Sequence, residues 1–191
     1  MPAVDKYDLS KKAARIRKLW GEDDTSPIDI FRLALASLPK LTLVFYPMGD
    51  NISGMCVRRS GDTVIGINSA MSLGRQRFSM AHELYHHYYG EDTTTLCAKN
   101  IGTGQNEERN ADQFASFFLI PPNGLVSALE NPGSTKGPLT VADVVALEQR
   151  FGVSRQAMLF RLVDEGVLSR PEADTMKSNV RLSALSCGYD D

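Results

Sequence analysis

Apolar and polar positions follow a helical period of about 3.6 residues over much of this chain. Local signals support several helix ends, because Ser26 and Pro27 are typical of a helix start, whereas Gly90 and Pro121 are typical of a helix end. The pattern predicts helices at residues 8–20, 26–38, 73–89, 107–120, 140–151 and 154–164. A short helix and a tail are expected after Pro171.

Residues 41–68 show a different pattern, with short runs of β-branched and aromatic side chains that are typical of strands. Strands are predicted at 41–46, 52–58 and 63–68. The turn Ser60-Gly61-Asp62 predicts a hairpin between the last two strands. Residues 91–103 are polar and rich in turn-forming residues.

The order of these elements predicts an α+β fold. A small antiparallel or mixed three-stranded sheet is expected to pack on the helices at 73–89 and 107–120, with a helical, helix-turn-helix-like portion at the C-terminus. Residues 131–138 contain two prolines and two glycines and form the best internal boundary. This divides the chain into a domain at 1–130 and a helical portion at 139–191 that packs on it.

Composition places the chain among ordinary globular proteins. Its 191 residues are 42% hydrophobic and 23% charged, and a formal net charge of -2 gives no bulk attraction to nucleic acid or anionic membranes. No apolar run approaches the roughly 20 residues that cross a bilayer, and the charged N-terminus lacks a signal core. Cys56, Cys97 and Cys187 are odd in number and widely spaced, which is typical of a reducing compartment. We therefore expect a cytoplasmic protein without a membrane segment.

Residues 82–86, with the sequence His-Glu-Leu-Tyr-His, carry the most informative chemistry. On a helix, positions four apart lie on one face with Cβ atoms about 5–6 Å apart. His82 and His86 can therefore bind one Zn²⁺ at about 2.0–2.1 Å per bond, whereas His87 points about 100° away. Glu83 faces the open side, where it can accept a proton from a water at the metal. We predict one zinc ion per chain, with Glu83 as the general base.

A catalytic zinc needs a third protein ligand, and the residues leave this choice open. Glu108 and Asp112 lie four apart on one helical face, so Glu108 can complete a His2Glu site while Asp112 orients a ligand imidazole. Alternatively, the charged residues 107–109 form a solvated helix N-terminus. Asp92 is a third candidate, because it occupies the last position of the extended motif HExxHxxGxxH, although the glycine of that motif is missing.

Two segments share a specific pattern with a known family. They are RFSMAHELYHH at 77–87 and ERNADQFA at 108–115, and Leu-Ile-Pro follows at 119–121. Together they resemble the ImmA/IrrE family of metallopeptidases, and the resemblance covers residues 41–121 well. It implies a gluzincin-like core in which Glu108 is the third ligand. Tyr85 departs from the pattern, because glycine is frequent there in the family.

The resemblance also implies a biological role. Members of the family are bacterial or phage-borne regulatory proteases, and several relieve repression by cutting a helix-turn-helix repressor encoded beside them, often in stress or mobile-element responses. We therefore predict a zinc endopeptidase that cleaves such a repressor. Tyr85, Tyr88, Tyr89 and Arg77 are candidate contacts to the oxyanion or the substrate.

The two helices at 140–151 and 154–164 carry a competing hypothesis. In a DNA-binding helix-turn-helix, Arg150, Arg155 and Arg161 would contact phosphates. Nearby acidic residues offset these arginines, so we expect packing or partner docking and no direct nucleic acid binding. A further alternative is a metal-bound regulator without proteolysis, or a toxin–antitoxin component, that acts through protein binding or DNA contact.

Overall fold

The computed structural model describes residues 5–90, 94–98, 101–102, 106–130 and 137–189, and for 94–98 it describes the backbone. The α+β class is confirmed. The described strands are β1 (Leu41–Tyr46), β2 (Ile52–Arg59), β3 (Asp62–Asn68) and β4 (Thr94–Ala98). The described helices are α1 (Lys6–Leu19), α2 (Ile30–Ser37), α3 (Leu73–Tyr89), α4 (Asn106–Leu119), α5 (Pro122–Leu129), α6 (Val141–Phe151), α7 (Arg155–Asp164), α8 (Arg170–Thr175) and α9 (Val180–Ser186). Within these ranges, no helix combines the length and apolar character needed to cross a membrane.

The strands form one mixed sheet in the order β1-β3-β2-β4. β1 runs parallel to β3, whereas β2 is antiparallel to both β3 and β4. The three predicted strands and the β2–β3 hairpin are present, and Ser60 and Gly61 form the hairpin turn with φ of 54° and 87°. Residues 94–98, which we expected to belong to a turn-rich segment, instead pair with β2 and add a fourth strand at the sheet edge.

Helix α3 packs on one face of the sheet. Successive side chains of a strand point to opposite faces, so Cys56, Ile65 and Ile67 are buried on the side of α3. Val44 and Val64 lie on the other face and are exposed. The helix spans the predicted residues 73–89 and presents its central turns to the protein interior.

Helix α2 begins later than predicted. The carboxylate of Asp23 accepts hydrogen bonds from the backbone N–H groups of Thr25 and Ser26 at 2.7 and 2.6 Å, and from the Ser26 hydroxyl at 2.7 Å. In this turn the Ser26 hydroxyl donates to Asp23 and therefore does not cap the helix. The prediction of a start at Ser26 is therefore wrong, and Asp29 caps α2 at Ile30 instead.

Helix α4 packs against both α1 and α3. Its far end is fixed by the buried side chain of Arg17, on α1. The guanidinium donates hydrogen bonds to the backbone oxygens of Phe118 and Asp23, each at 2.7 Å, and of Ser26 at 2.6 Å. One cation thus joins α1, α4 and the turn before α2, and this holds α4 alongside α3.

Helices α6 and α7 form the predicted helix-turn-helix-like pair. Gly152, with φ of 63°, turns the chain, and the Ser154 hydroxyl caps α7. The start of α3 approaches this turn so closely that a Cβ at Gly74 would lie 2.5 Å from the Ser154 nitrogen. Buried residues before and after the predicted boundary belong to one core. Most of the boundary at 131–138 lies outside the described residues, and the division into two domains stays a prediction.

Candidate metal centre

Helix α3 carries the three polar side chains of the HExxH segment into the protein interior. His82, Glu83 and His86 have exposed fractions of 6%, 0% and 4%. The two imidazoles lie one helical turn apart, and their Nε2 atoms are 3.3 Å from each other. Both rings therefore aim a nitrogen at the same point, as the spacing of four residues predicts.

Helix α4 supplies a carboxylate at the same point. Glu108 Oε2 lies 3.4 Å from His82 Nε2, and Glu108 Oε1 lies 3.3 Å from His86 Nε2. Tetrahedral zinc with bonds of about 2.05 Å separates its ligand atoms by about 3.3 Å. The separation of the two Nε2 atoms matches this spacing, and the Glu108 carboxylate presents one oxygen at about this distance to each imidazole. The group therefore suits a tetrahedral ion with a fourth position left for water. Within the described part of the chain, it is the one group of such residues close enough to hold a metal.

The charge of the cluster also suits a divalent cation. Hydrogen bonds from His82 and then from His86 hold the pKa of the half-buried Glu108 carboxyl well below its usual range. A charged carboxylate beside two imidazole nitrogens is a preferred ligand set for zinc. Among the described residues, the buried His86 Nδ1 has no hydrogen-bond partner, so this ring is held by its Nε2 side and by packing.

The imidazole of His82 is oriented by Asp112, one turn after Glu108 on α4. Asp112 Oδ1 lies 2.8 Å from His82 Nδ1, and Oδ2 accepts a hydrogen bond from the backbone N–H of Gly102 at 2.5 Å. Because the carboxylate accepts the proton of Nδ1, it favours the tautomer whose Nε2 lone pair can bind a metal ion. Asp112 is thus placed to orient the His82 ring, and its role in a metal site stays a prediction. Gly102 was not predicted, since it acts through its backbone and no side-chain pattern marks it.

The tyrosines proposed as substrate contacts lie in packed surroundings. The hydroxyl of Tyr85 is hydrogen-bonded to Asn110, and burial raises the pKa of Tyr85. The Tyr88 hydroxyl accepts a hydrogen bond from Trp20 Nε1 at 3.0 Å. Tyr89 packs against the Tyr85 ring, with ring centroids 5.5 Å apart. Their assignment to oxyanion or substrate binding stays a prediction.

The remaining candidates around the motif have other positions. Arg77 donates to the backbone oxygen of Gly152 at 3.3 Å and so contacts the α6–α7 turn. His87 Nδ1 lies 2.9 Å from the Thr63 hydroxyl on β3. Burial and then the nearby Arg58 guanidinium lower the pKa of His87. The alternative ligand Asp92 lies outside the described residues.

The helix-turn-helix-like pair uses its arginines for packing. Arg155 is buried and forms two hydrogen bonds with the Glu148 carboxylate, at 2.6 and 3.0 Å. Arg161 is fully buried and lies 2.7 Å from Glu165. Two of the three arginines considered for phosphate contact are therefore inaccessible, and Arg150 alone is exposed.

The fold and this cluster define a class of protein, a mixed-sheet domain with an HExxH helix and a His2Glu candidate metal centre. The IrrE N-terminal-like domain of peptidase family M78 matches residues 41–163. The chain belongs to this family, and the resemblance seen in the sequence is confirmed. The match includes the sheet, both helices of the cluster and the α6–α7 pair.

Two further comparisons describe how far the likeness extends. A solved structure described as a Mycobacterium tuberculosis transcriptional regulator is similar to 87% of this chain and 49% of its own, with a TM-score of 0.55 and 19% sequence identity. At this identity the likeness shows a shared fold, and the chain spans about half the length of that regulator. A search of curated proteins gave no match.

Proposed function

We propose that this protein is a zinc-dependent endopeptidase. The observation that carries the proposal is the group of His82, His86 and Glu108, in which the two Nε2 atoms lie 3.3 Å apart and each faces one carboxylate oxygen at 3.3–3.4 Å. This spacing and this donor set suit four-coordinate zinc with one position open for water. The match to a peptidase family over residues 41–163 supports peptide-bond hydrolysis as the reaction.

The chain's own residues supply the acid–base chemistry. When bound, zinc polarises the scissile carbonyl and lowers the pKa of water to about 7. Glu83 accepts the proton of the attacking water and passes it to the leaving amine. Asp112 keeps a proton on His82 Nδ1 and so maintains the tautomer that can bind metal.

We propose a helix-turn-helix transcriptional repressor, encoded beside the protease, as the substrate. The support is the resemblance to the ImmA/IrrE family, which also suggests cytoplasmic control of stress or mobile-element responses. Because Arg155 and Arg161 are paired with carboxylates, the α6–α7 pair fits protein docking better than DNA contact. In this proposal the protein acts on a repressor and does not itself bind the operator.

The variant Glu83→Gln tests the reaction. Zinc content is measured by atomic emission, and cleavage of the co-encoded repressor and of casein is followed by electrophoresis and mass spectrometry. We expect Glu83→Gln to keep its zinc and lose cleavage at least 100-fold, since a general base contributes about 10²–10⁴-fold. The control Glu107→Gln changes an exposed carboxylate on α4 and should cleave normally. A zinc-bound wild type that cleaves neither protein would refute the proposal and favour a regulator without proteolysis.

A further inference from the structure

Two glycines occupy neighbouring central strands of the sheet, Gly54 on β2 and Gly66 on β3. Glycine weakens a strand because it loses more backbone freedom and offers no side chain to pack, so an interior glycine often marks a close approach. A Cβ at Gly54 would lie 2.9 Å from Glu83 Oε1 and 3.1 Å from the backbone oxygen of Gly66. The strand therefore has space for the Glu83 carboxylate only while position 54 carries no side chain.

A second observation places the same carboxylate over β2. Cys56 is two residues along from Gly54 and therefore on the same face of the strand. Burial and then the negative charge of Glu83 raise the pKa of the Cys56 thiol to about 12. Glu83 is fully buried, so its carboxylate is confined between α3 and this part of β2.

The strand cannot easily move aside. β2 is paired with β3 on one side and with β4 on the other, and Gly54 is in register with Ile67 and Cys97. The second obstacle to a Cβ, the Gly66 oxygen, belongs to the backbone of the sheet. A side chain at position 54 would therefore displace the carboxylate of Glu83, the one flexible group of the contact.

We propose that Gly54 is a positioning residue for Glu83. This inference rests on the proposed function, in which Glu83 accepts a proton from the attacking water. The missing side chain at position 54 sets where the carboxylate lies relative to His82 and His86. Gly54 acts through the Glu83 side chain, which its backbone borders.

The expected size of the effect follows from the contact. A methyl carbon at 2.9 Å from an oxygen is closer than ordinary contact, so Gly54→Ala must move the Glu83 carboxylate by a few tenths of an ångström or more. Proton transfer needs heavy atoms within about 2.6–3.2 Å, and a misplacement of 1 Å can cost about 100-fold in rate. We expect Gly54→Ala to lower kcat about 10- to 100-fold with KM and zinc content little changed.

The matched control is Gly66→Ala. A Cβ there would meet the side chains of Met55 and Met48, at 2.9 and 3.1 Å, on the face of the sheet away from Glu83. Methionine side chains are flexible and can move aside. We therefore expect kcat to stay within about twofold of the wild type, although the same change is made in the adjacent strand.

Shortening the base provides the specific test. Glu83→Asp has a side chain one methylene shorter and so leaves space for a methyl group at position 54. If Gly54 acts through Glu83, adding Gly54→Ala to Glu83→Asp lowers kcat by less than about threefold, far less than in the wild type. A merely structural role for Gly54 would give the same loss in both backgrounds.

A readout without turnover completes the experiment. In zinc-bound protein labelled with ¹³C at glutamate Cδ, the Glu83 resonance is assigned by its disappearance in Glu83→Gln. We expect this resonance to move in Gly54→Ala and to stay in place in Gly66→Ala. An unmoved resonance in Gly54→Ala, or an equal loss of kcat in both backgrounds, would overturn the inference. If the wild type cleaves neither the repressor nor casein, the proposed function fails, and the resonance alone still decides the role of Gly54.

Discussion

Replacing Asp112 by asparagine tests how α4 holds His82, a ligand in the proposed zinc site, because the change keeps the side chain's size and removes its charge. Asp112 accepts hydrogen bonds from His82 Nδ1 at 2.8 Å and from the Gly102 N–H at 2.5 Å. Asparagine has one acceptor oxygen and one NH₂ donor, so one of these two groups must lose its acceptor. If the NH₂ faces His82, it donates to Nδ1 and forces the ring proton onto Nε2, the nitrogen that faces Glu108.

The expected loss can be worked out in two ways. Removing the outer partner of a ligating histidine lowers metal affinity by about 10- to 100-fold, which corresponds to roughly 1.4–2.8 kcal/mol. A hydrogen bond to a charged group contributes roughly 1.5–3 kcal/mol, and Asp112 is almost fully buried, where such bonds are strongest. Both estimates agree, so we expect Asp112→Asn to bind Zn²⁺ about 30- to 100-fold more weakly.

The assay is competition for Zn²⁺ between the protein and a coloured chelator at constant pH. Asp164→Asn is the matched control, because Asp164 is a partly buried aspartate that accepts a hydrogen bond from Gln113 at 2.7 Å and contacts no histidine. It should bind zinc as the wild type does. Wild-type affinity in Asp112→Asn, or an equal loss in Asp164→Asn, would refute the reasoning.

Three further predictions concern the scaffold. Arg17→Met should lower the free energy of unfolding in urea by roughly 3–5 kcal/mol, because three backbone oxygens lose a buried donor, and a loss below about 1 kcal/mol would contradict this. Glu148→Leu should lower the free energy of unfolding by roughly 3–5 kcal/mol, because it leaves the buried Arg155 without its carboxylate partner. The double variant Glu148→Leu/Arg155→Met should lose less, and equal urea midpoints for the single and double variants would argue against a buried pair. Burial raises the pKa of the Cys56 thiol to about 12, so iodoacetamide at pH 8 should alkylate the exposed Cys187 much faster than it alkylates Cys56. Equal alkylation rates of the two cysteines, measured by mass spectrometry, would contradict this expectation.

Local signals explain which parts of the fold can be predicted from the sequence. The bounds of α3 match the prediction because its apolar period and Gly90 are both local. The start of α2 does not, because the Asp23 carboxylate draws Ser26 into a turn. β4 exists through pairing with β2 across the whole of α3, and no short pattern shows such a partner. Pro121 predicts the end of α4, but no predicted element matches α5, which opens at Pro122 because proline suits the first position of a helix.

In the candidate metal centre, too, features set within one helix can be predicted, whereas features set by packing between elements cannot. Helical spacing alone predicts that His82 and His86 converge, because the helix fixes their separation. Spacing leaves Glu108 open, since it does not say how α4 lies against α3, and the family resemblance favoured the ligand that the structure places there. Gly102 contributes a backbone N–H and Gly54 contributes the absence of a side chain. Neither a backbone N–H nor a missing side chain forms a sequence pattern that predicts its role without the fold.

In the proposed mechanism, different elements of the fold support metal binding and proton transfer. Glu108 and Asp112 lie one turn apart on α4, so any shift of this helix against α3 moves a ligand and the partner of another ligand together. The Glu83 carboxylate instead rests against Gly54 of β2, in the sheet. Variants on the α4 side should therefore weaken zinc binding while leaving the Glu83 resonance in place, and Gly54→Ala should slow turnover while zinc affinity is kept. A single change on either side that altered both properties equally would show that the two supports are mechanically coupled.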